Sequence, residues 1–253
     1  MNIQRINDVT SEIGFLLLTH GAEIHRVEDT ICRIASAYGA SADVFAIPAS
    51  LVVTVRDNEG KSFTQTRRVY YRDLNLDSVD QLNSLARKIC SETPEYEAIE
   101  QAISAIQNRP VYPVSFQRAM AAVGAGGFAL LFGGTFYEAF AAAIIGIFVR
   151  IASVFMEQSG GGVLLSNIVG GCVSGCLSLL FAKLYPALDL DLLIISTLML
   201  LVPGLAMTNS VRDLVAGDLV TGVMKATEAS IIAIGIAIGI MLSLAVIRPI
   251  LGV

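Results

Sequence analysis

From Ala119 onward the sequence is dominated by long apolar runs, and no other feature restricts the fold as strongly. They divide into about five: Ala119–Gly134, Glu138–Phe155, Gly162–Ala182, Leu190 to Pro203-Gly204, and Thr227–Ile247. A helix needs roughly 20 apolar residues to cross about 30 Å of hydrocarbon; the runs are near that length, the first being short. Five such helices cannot all be interior in a soluble chain of 253 residues. Charge marks the same boundary, since residues 1–118 hold 12 of the 17 Lys/Arg and 15 of the 22 Asp/Glu. The expected class is an α-helical polytopic membrane protein with about five transmembrane helices, preceded by a small α+β cytoplasmic domain. We place that domain at 1–110 and the five-span membrane domain at 111–253, with Asn108-Arg109-Pro110 as linker.

Within the polar part, Ile6, Val9, Ile13 and Leu17 recur at helical spacing and predict a helix over 3–19, broken at His20-Gly21. Ile24, Val27, Ile31, Ile34 and Tyr38 form the stripe of a second helix over 22–38, stopped by Gly39. The period then changes. Residues 44–55 (VFAIPASLVVTV) and 62–71 (SFTQTRRVYY) read as two strands of a hairpin around DNEG, with Pro48 interrupting the first or sitting at its edge. Helices over about 76–91 and 94–107 follow. Basic residues set the orientation: Arg109, Arg118, Arg212 and Lys225 inside, Lys183 and Arg248 outside, and Arg150 in the inner part of span two. This favours N-terminus in and C-terminus out.

Several chemistries are disfavoured. The net charge of −5 is evenly shared and no basic tract points to nucleic acid. Cys32, Cys90, Cys172 and Cys176 form no CxxC, and no secretory leader is evident at the N-terminus. The run GAGGFALLFGG (124–134) follows no strand, so it is no nucleotide loop. His25, Glu28, Asp29 and Cys32 share one side of the second helix, but without HExxH a lone helix rarely closes a metal sphere, so no metal or other cofactor is expected. Ala121/Ala125, Gly171/Gly175 and Gly235/Gly239 have the four-residue spacing that lets membrane helices approach.

Two polar groups of residues stand out. In the opening helix Asp29 lies three residues after Arg26 and four before Arg33, so it can serve both, and Glu23 precedes Arg26 by three. A solvated face of weak ion pairs is the plain reading; a docking face at a cytoplasmic entrance, carried by Glu23, Arg26, Glu28 and Asp29, is the functional one. In LVPGLAMTNSVRDLVAGDLVTG (201–222), about thirteen residues separate Leu190 from Pro203, too few to cross. Pro203 and Gly204 therefore bend or break the helix within the bilayer, and Asn209, Arg212, Asp213 and Asp218 follow. Broken helices expose peptide groups that bind ions or carboxylates in transporters. Arg212 is a candidate for a substrate carboxylate, Asp213 for an ammonium group or a proton, and Asn167 for a substrate contact or an interhelical bond. The plain alternative is a proline kink leading into an ordinary loop.

HGAEIHRVEDTICRIASAYG (20–39) with DVFAIPASLVVTV (43–55), and then LVPGLAMTNSVRDLVAGDLVTG (201–222), resemble the paired signatures of the threonine/serine exporter family. The matching residues are Gly21, Glu23, Arg26, Val27, Glu28 and Pro48, then Pro203, Gly204, Asn209, Arg212, Asp213, Gly217, Asp218 and Gly222. The resemblance implies ion-driven export of small amino acids, by alternating access and without covalent chemistry. Fused members have about ten spans. This chain resembles the larger component of the split form, whose partner is a small five-span membrane protein in a homo- or hetero-oligomer, and whose bacterial relatives are linked to dicarboxylates such as succinate. The expectation is a multi-pass subunit of a secondary transporter in the bacterial inner membrane, not an enzyme. The competing classes are a membrane-anchored hydrolase using Glu23, Glu28, Asp29 and His20, and a regulatory membrane subunit.

Overall fold

The computed structural model describes residues 1–70, 74–110 and 112–252. Two compact units emerge: Met1–Pro110 with Arg212–Met224, and the remaining described residues.

The first unit is a two-layer α+β fold. Helix α1 (Ile3–Thr19) buries Ile6, Val9, Ile13 and Leu17, and α2 (Ile24–Ala37) buries Val27, Ile31 and Ile34, the faces that the stripes predict. Between them Gly21 has φ of +88°, and the Ala22 N–H donates to Leu17 O at 2.9 Å. That positive φ is the terminator an L side chain resists. Strands β1 (Ser41–Ile47), β2 (Ser50–Arg56) and β3 (Ser62–Arg68) form one antiparallel sheet in the order β1-β2-β3. Leu51, Val53 and Val55 alternate inward onto the helices and are fully buried, while Thr54 and Thr64 pair through their hydroxyls on the other face.

Here the sequence expectation needs correction. The stretch 44–55 is not one strand disturbed by Pro48. It is two strands, with Ile47 opposite Ser50 and Pro48-Ala49 as the turn between them. Proline has no N–H to give a ladder, and at this turn none is needed. Tyr71, expected at the end of the last strand, lies outside the described residues. Helices α3 (Leu76–Glu92) and α4 (Tyr96–Gln107) complete the core with Leu82, Ile89, Ile99 and Ile103.

The second unit contains α5 (Val114–Leu131), α6 (Phe136–Gln158), α7 (Val163–Leu184) and α8 (Leu190–Leu198). Helix α9 (Gly204–Ala216) passes from this unit into the first at Arg212, and α10 (Leu219–Leu251) returns. Among the described residues, four helices are long and apolar enough to cross a membrane: Val114–Leu131, Phe136–Met156, Val163–Leu184 and Leu219–Ile250. The expected fourth span is different. Helix α8 has nine residues, about 13 Å, and stops before Pro203.

Small residues set the helix spacing as expected. A Cβ on Gly239 of α10 would strike Ile168 O and lie 2.8 Å from Cys172 N, both on α7; one on Gly171 would lie 2.7 Å from Ile236 O. The backbones of α7 and α10 therefore meet directly. On the other side, Gly146 of α6 faces Ala121 and Ala125 of α5.

Candidate functional site

In the first unit the two sequence signatures meet. Glu23 ends the loop after α1 and is the N-cap residue of α2, its backbone oxygen accepting from Arg26 N and Val27 N. Its side chain turns to the last turns of α9 and forms an ion pair with the Arg212 guanidinium. Its second oxygen lies 3.5 Å from His25 Nε2. Burial pushes the Glu23 carboxyl up, but the hydrogen bond and charge of Arg212, with Arg26 and His25, more than offset this and hold it below its ordinary 4.5.

Glu28 lies on the same helix with the opposite balance. Its Oε1 accepts from Ala46 N at 3.1 Å, tying α2 to β1 just before the Pro48 turn. Burial raises its carboxyl above 4.5 and the nearby Asp218 charge adds to this, against the hydrogen bond and His25. Thus the two carboxyls shift in opposite directions, Glu23 down and Glu28 up.

The turn after α9 explains much of the second signature. Gly217 has φ of +92° and ends α9, and Asp218 Oδ1 accepts from Thr221 N at 3.2 Å at the start of α10. A Cβ on Gly222 would meet the Leu214 side chain at 2.6 Å, so only glycine lets the two helices fold back here. Asp213 is buried beside this turn. Asp218 therefore caps a helix, a role that its position after a glycine signals.

One candidate gains a partner and one expectation changes. Arg212, a candidate for a substrate carboxylate, lies within α9, and its guanidinium forms an ion pair with the Glu23 carboxylate. Asp29 was expected to serve both Arg26 and Arg33; among the described residues it pairs with Arg33 alone, at 2.9 Å. The i,i+4 partner wins because the arginine side chain leans back along the helix onto it. Arg26 and Asp29 line an open groove of about 630 Å³ with Arg33, Asp80 and Arg87. No metal-holding group of His, Cys, Asp or Glu occurs among the described residues, and burial pushes the Cys32 thiol up, away from a nucleophile.

The remaining candidates belong to the second unit. Asn167 stands in the second turn of α7, donating to Val163 O at 2.8 Å. Pro203 and Gly204 begin α9, and Asn209 follows half-buried. Glu138 figured in the sequence only as the start of the second apolar run. It is 7% exposed and brackets two turns: it accepts from Thr135 N at 2.6 Å, from the Thr135 hydroxyl at 3.0 Å and from Asp189 N at 3.1 Å. The signal was present as Thr-x-x-Glu, a capping box at the start of α6.

A polar α+β unit, apolar helices of membrane length, and a helix interrupted at Pro203 define a multi-pass membrane protein of transporter type. The chain belongs to the family described as "Putative threonine/serine exporter", whose profile matches residues 8–247. It is 23% identical over 244 residues to the "Probable succinate transporter subunit YjjP" of Escherichia coli K12, covering 93% of this chain and 92% of that protein. It is 24% identical over 251 residues to the "Probable threonine/serine exporter" of Mycobacterium tuberculosis, covering 96% of this chain and 46% of the relative. With the "Threonine/serine exporter" of Corynebacterium glutamicum it shares 23% identity and spans 51% of that protein. The chain thus spans about half the length of the two named amino-acid exporters. No solved structure matches it.

Proposed function

We propose that this chain is the larger component of a two-component secondary exporter of small carboxylate-bearing metabolites in the bacterial inner membrane. The observation that carries the reading is the interrupted helix. Helix α8 ends at Leu198 and the chain turns through Met199–Pro203 before α9 begins. A helix broken at membrane depth frees peptide groups and helix ends for substrate and coupling ion.

On this reading α8 and the start of α9 form an interrupted fourth crossing. That gives five crossings over 111–253, a cytoplasmic α+β domain over 1–110, and the C-terminus outside. The Glu23–Arg212 pair acts as a latch that secures the last turns of α9 to α2, flanked at the cytoplasmic entrance by Arg26, Glu28 and Asp29. Asp213 and Asp218 hold the turn that the latch controls. Pro203, Gly204, Asn209 and Asn167 serve the membrane side. The partner is a small five-span membrane protein, supported by two facts: the similarly sized relative is called a subunit, and the fused exporters are about twice as long. Large apolar side chains such as Phe140, Phe155, Ile234 and Met241 are exposed along α6 and α10, where lipid or that partner would cover them.

The test is efflux from proteoliposomes holding this chain with and without its five-span partner, with succinate and L-threonine as substrates. Gradient-driven efflux that needs both chains is expected. Absence of efflux by the correctly inserted pair, for both substrates and under both proton and sodium gradients, would overturn the reading.

A further inference from the structure

Between α2 and α3 the first unit carries an open groove of about 630 Å³, within the roughly 300–1,000 Å³ typical of small-molecule sites. Its lining is largely polar. Arg26, Asp29 and Arg33 come from α2, and Asp80, Asn83 and Arg87 from α3. Ala86, 6% exposed, sits among them, and its small side chain leaves the seam between the helices unfilled. The Glu23–Arg212 pair includes none of these residues.

Two contacts fix how the helices align. Near their beginnings Asn75 N donates to His20 O at 3.3 Å, and near their ends Tyr38 Oη donates to Pro94 O at 2.6 Å. Helices α2 and α3 therefore run side by side in the same direction, at an offset of about 55 residues. That offset sets Ser84 level with Asp29. Arg33 leans back and donates from Nε to Asp29 Oδ1 at 3.0 Å, and Arg87 leans back and donates from Nη2 to Ser84 Oγ at 2.7 Å. Two guanidinium groups from different helices are thereby drawn to one level. Arg26 is rooted less than one turn below it. Among the described residues Arg26 forms neither a hydrogen bond nor an ion pair, since Asp29 pairs with Arg33 and Glu23 with His25 and Arg212.

Three guanidinium groups thus share a short stretch of groove with one carboxylate, a local charge of about +2 in a chain whose net charge is −5. A phosphate monoester carries about −1.5 to −2 at pH 7 and offers three acceptor oxygens, so it matches that charge. A single carboxylate matches only half of it. Arginine forks also fit phosphate oxygens in pairs.

The rest of the lining bears on what the phosphate is attached to. The described lining residues include no aromatic side chain, so a nucleobase finds no stacking surface. Asp80 stands about one turn toward the N-terminal ends of the helices, with Asn83 and Thr30 between it and the arginines. A carboxylate that accepts, and an amide and a hydroxyl that both donate and accept, suit the hydroxyl groups of a polyol.

We infer that this groove is a binding site for a small, non-aromatic phosphate monoester of the sugar-phosphate type, with Arg26, Arg33 and Arg87 on the phosphate and Asp80 and Asn83 on the hydroxyl groups. The polar unit then has a ligand of its own, different in chemistry from an exported carboxylate. A metabolite bound here ties α3 to α2, the helix that Glu23 caps, and so stabilises the unit that holds the last turns of α9.

The experiment uses the full chain in phosphatidylcholine nanodiscs at fixed ionic strength, titrated by calorimetry with glucose 6-phosphate, inorganic phosphate and glucose. Glucose 6-phosphate should bind once per chain, inorganic phosphate more weakly, and glucose not measurably. Arg26→Gln and Arg87→Gln should each weaken glucose 6-phosphate about fivefold, and the two together at least about tenfold. Asp80→Ala should weaken glucose 6-phosphate at least about threefold and leave inorganic phosphate within about twofold. Arg56→Gln, on β2 outside the groove, should change neither. All four substituted side chains are exposed, so the core is untouched and lost binding reports the groove. Discs of phosphatidylglycerol separate a soluble ligand from a lipid headgroup: unchanged affinity for glucose 6-phosphate is expected, and its displacement by that lipid would overturn the assignment to a soluble monoester. Tighter binding of inorganic phosphate than of glucose 6-phosphate would overturn the polyol assignment. Absence of phosphate binding, or equal binding by wild type and the double arginine variant, would overturn the site and leave this face as solvated ion pairs. The exporter reading is untouched by any of these results, because efflux does not enter the measurement.

Discussion

Neutralising either end of the Glu23–Arg212 pair should loosen the last turns of α9 by a predictable amount. Charge-assisted hydrogen bonds are worth about 1.5–3 kcal/mol when shielded, and exposed ion pairs about 0.2–1 kcal/mol. The Glu23 side chain is 22% exposed and that of Arg212 is 49% exposed, so solvent screens the pair and its coupling belongs near the lower class, at about 1 kcal/mol. That is roughly a fivefold shift in the equilibrium between docked and undocked turns. The assay is amide hydrogen exchange over Asp213–Gly217 in a double-mutant cycle of Glu23→Gln, Arg212→Gln and both. Each single variant should speed exchange about fivefold, and the double should be no faster than either. The pH dependence follows from the depressed Glu23 carboxyl. Its folded value lies below 4.5, so the contribution is complete above about 4.5 and is lost as the pH falls through the folded value. Additive effects in the cycle, or a coupling that persists once Glu23 is protonated at acidic pH, would refute the latch.

Other expectations follow from particular contacts. Glu28→Gln keeps an acceptor for Ala46 N but removes a charge that burial and Asp218 oppose, so it should raise thermal stability at about pH 7; the gain should vanish below 4.5, where the wild type also carries its proton, and a loss of stability at neutral pH would contradict this. Glu138→Ala strands the Thr135 and Asp189 N–H groups and should cost about 2–3 kcal/mol, read as a lower unfolding temperature in detergent, whereas an exposed interfacial carboxylate would show almost no change. Gly239→Ala drives a methyl group into the α7 backbone and should cost about 1–3 kcal/mol, while Gly127→Ala, with nothing within 4 Å, should be neutral or stabilising; equal effects in thermal denaturation would remove the case for direct backbone contact.

Much of this fold is written locally. The helix over 3–19 matches its stripe to the residue, and the four long apolar helices are plain from length and hydropathy. Pro203 announced its break and Gly21 its turn, because backbone restriction acts within a few residues. The charge division near Arg118 gave the membrane class, since a chain of this size cannot bury so many long uncharged helices in its own core.

What the sequence left open needs distance. Pro48 could interrupt a strand or make a turn, and only the pairing of Ile47 with Ser50 decides, because register is a property of two strands. Arg212 read as a candidate for a substrate carboxylate, with no partner named for it. Its partner, Glu23, lies nearly two hundred residues earlier, and nothing in local periodicity joins them. Asp29 had two arginines in reach by spacing, and side-chain direction on the helix chose Arg33. Arg150 read only as a basic residue in the inner part of span two, and the packing of α5, α6, α7 and the chain after α8 is what sets it on one cavity with Ser166 and Asn167. Periodicity specifies which face of an element is apolar, but a cavity is the space that several such faces fail to fill, and that exists only once they have packed.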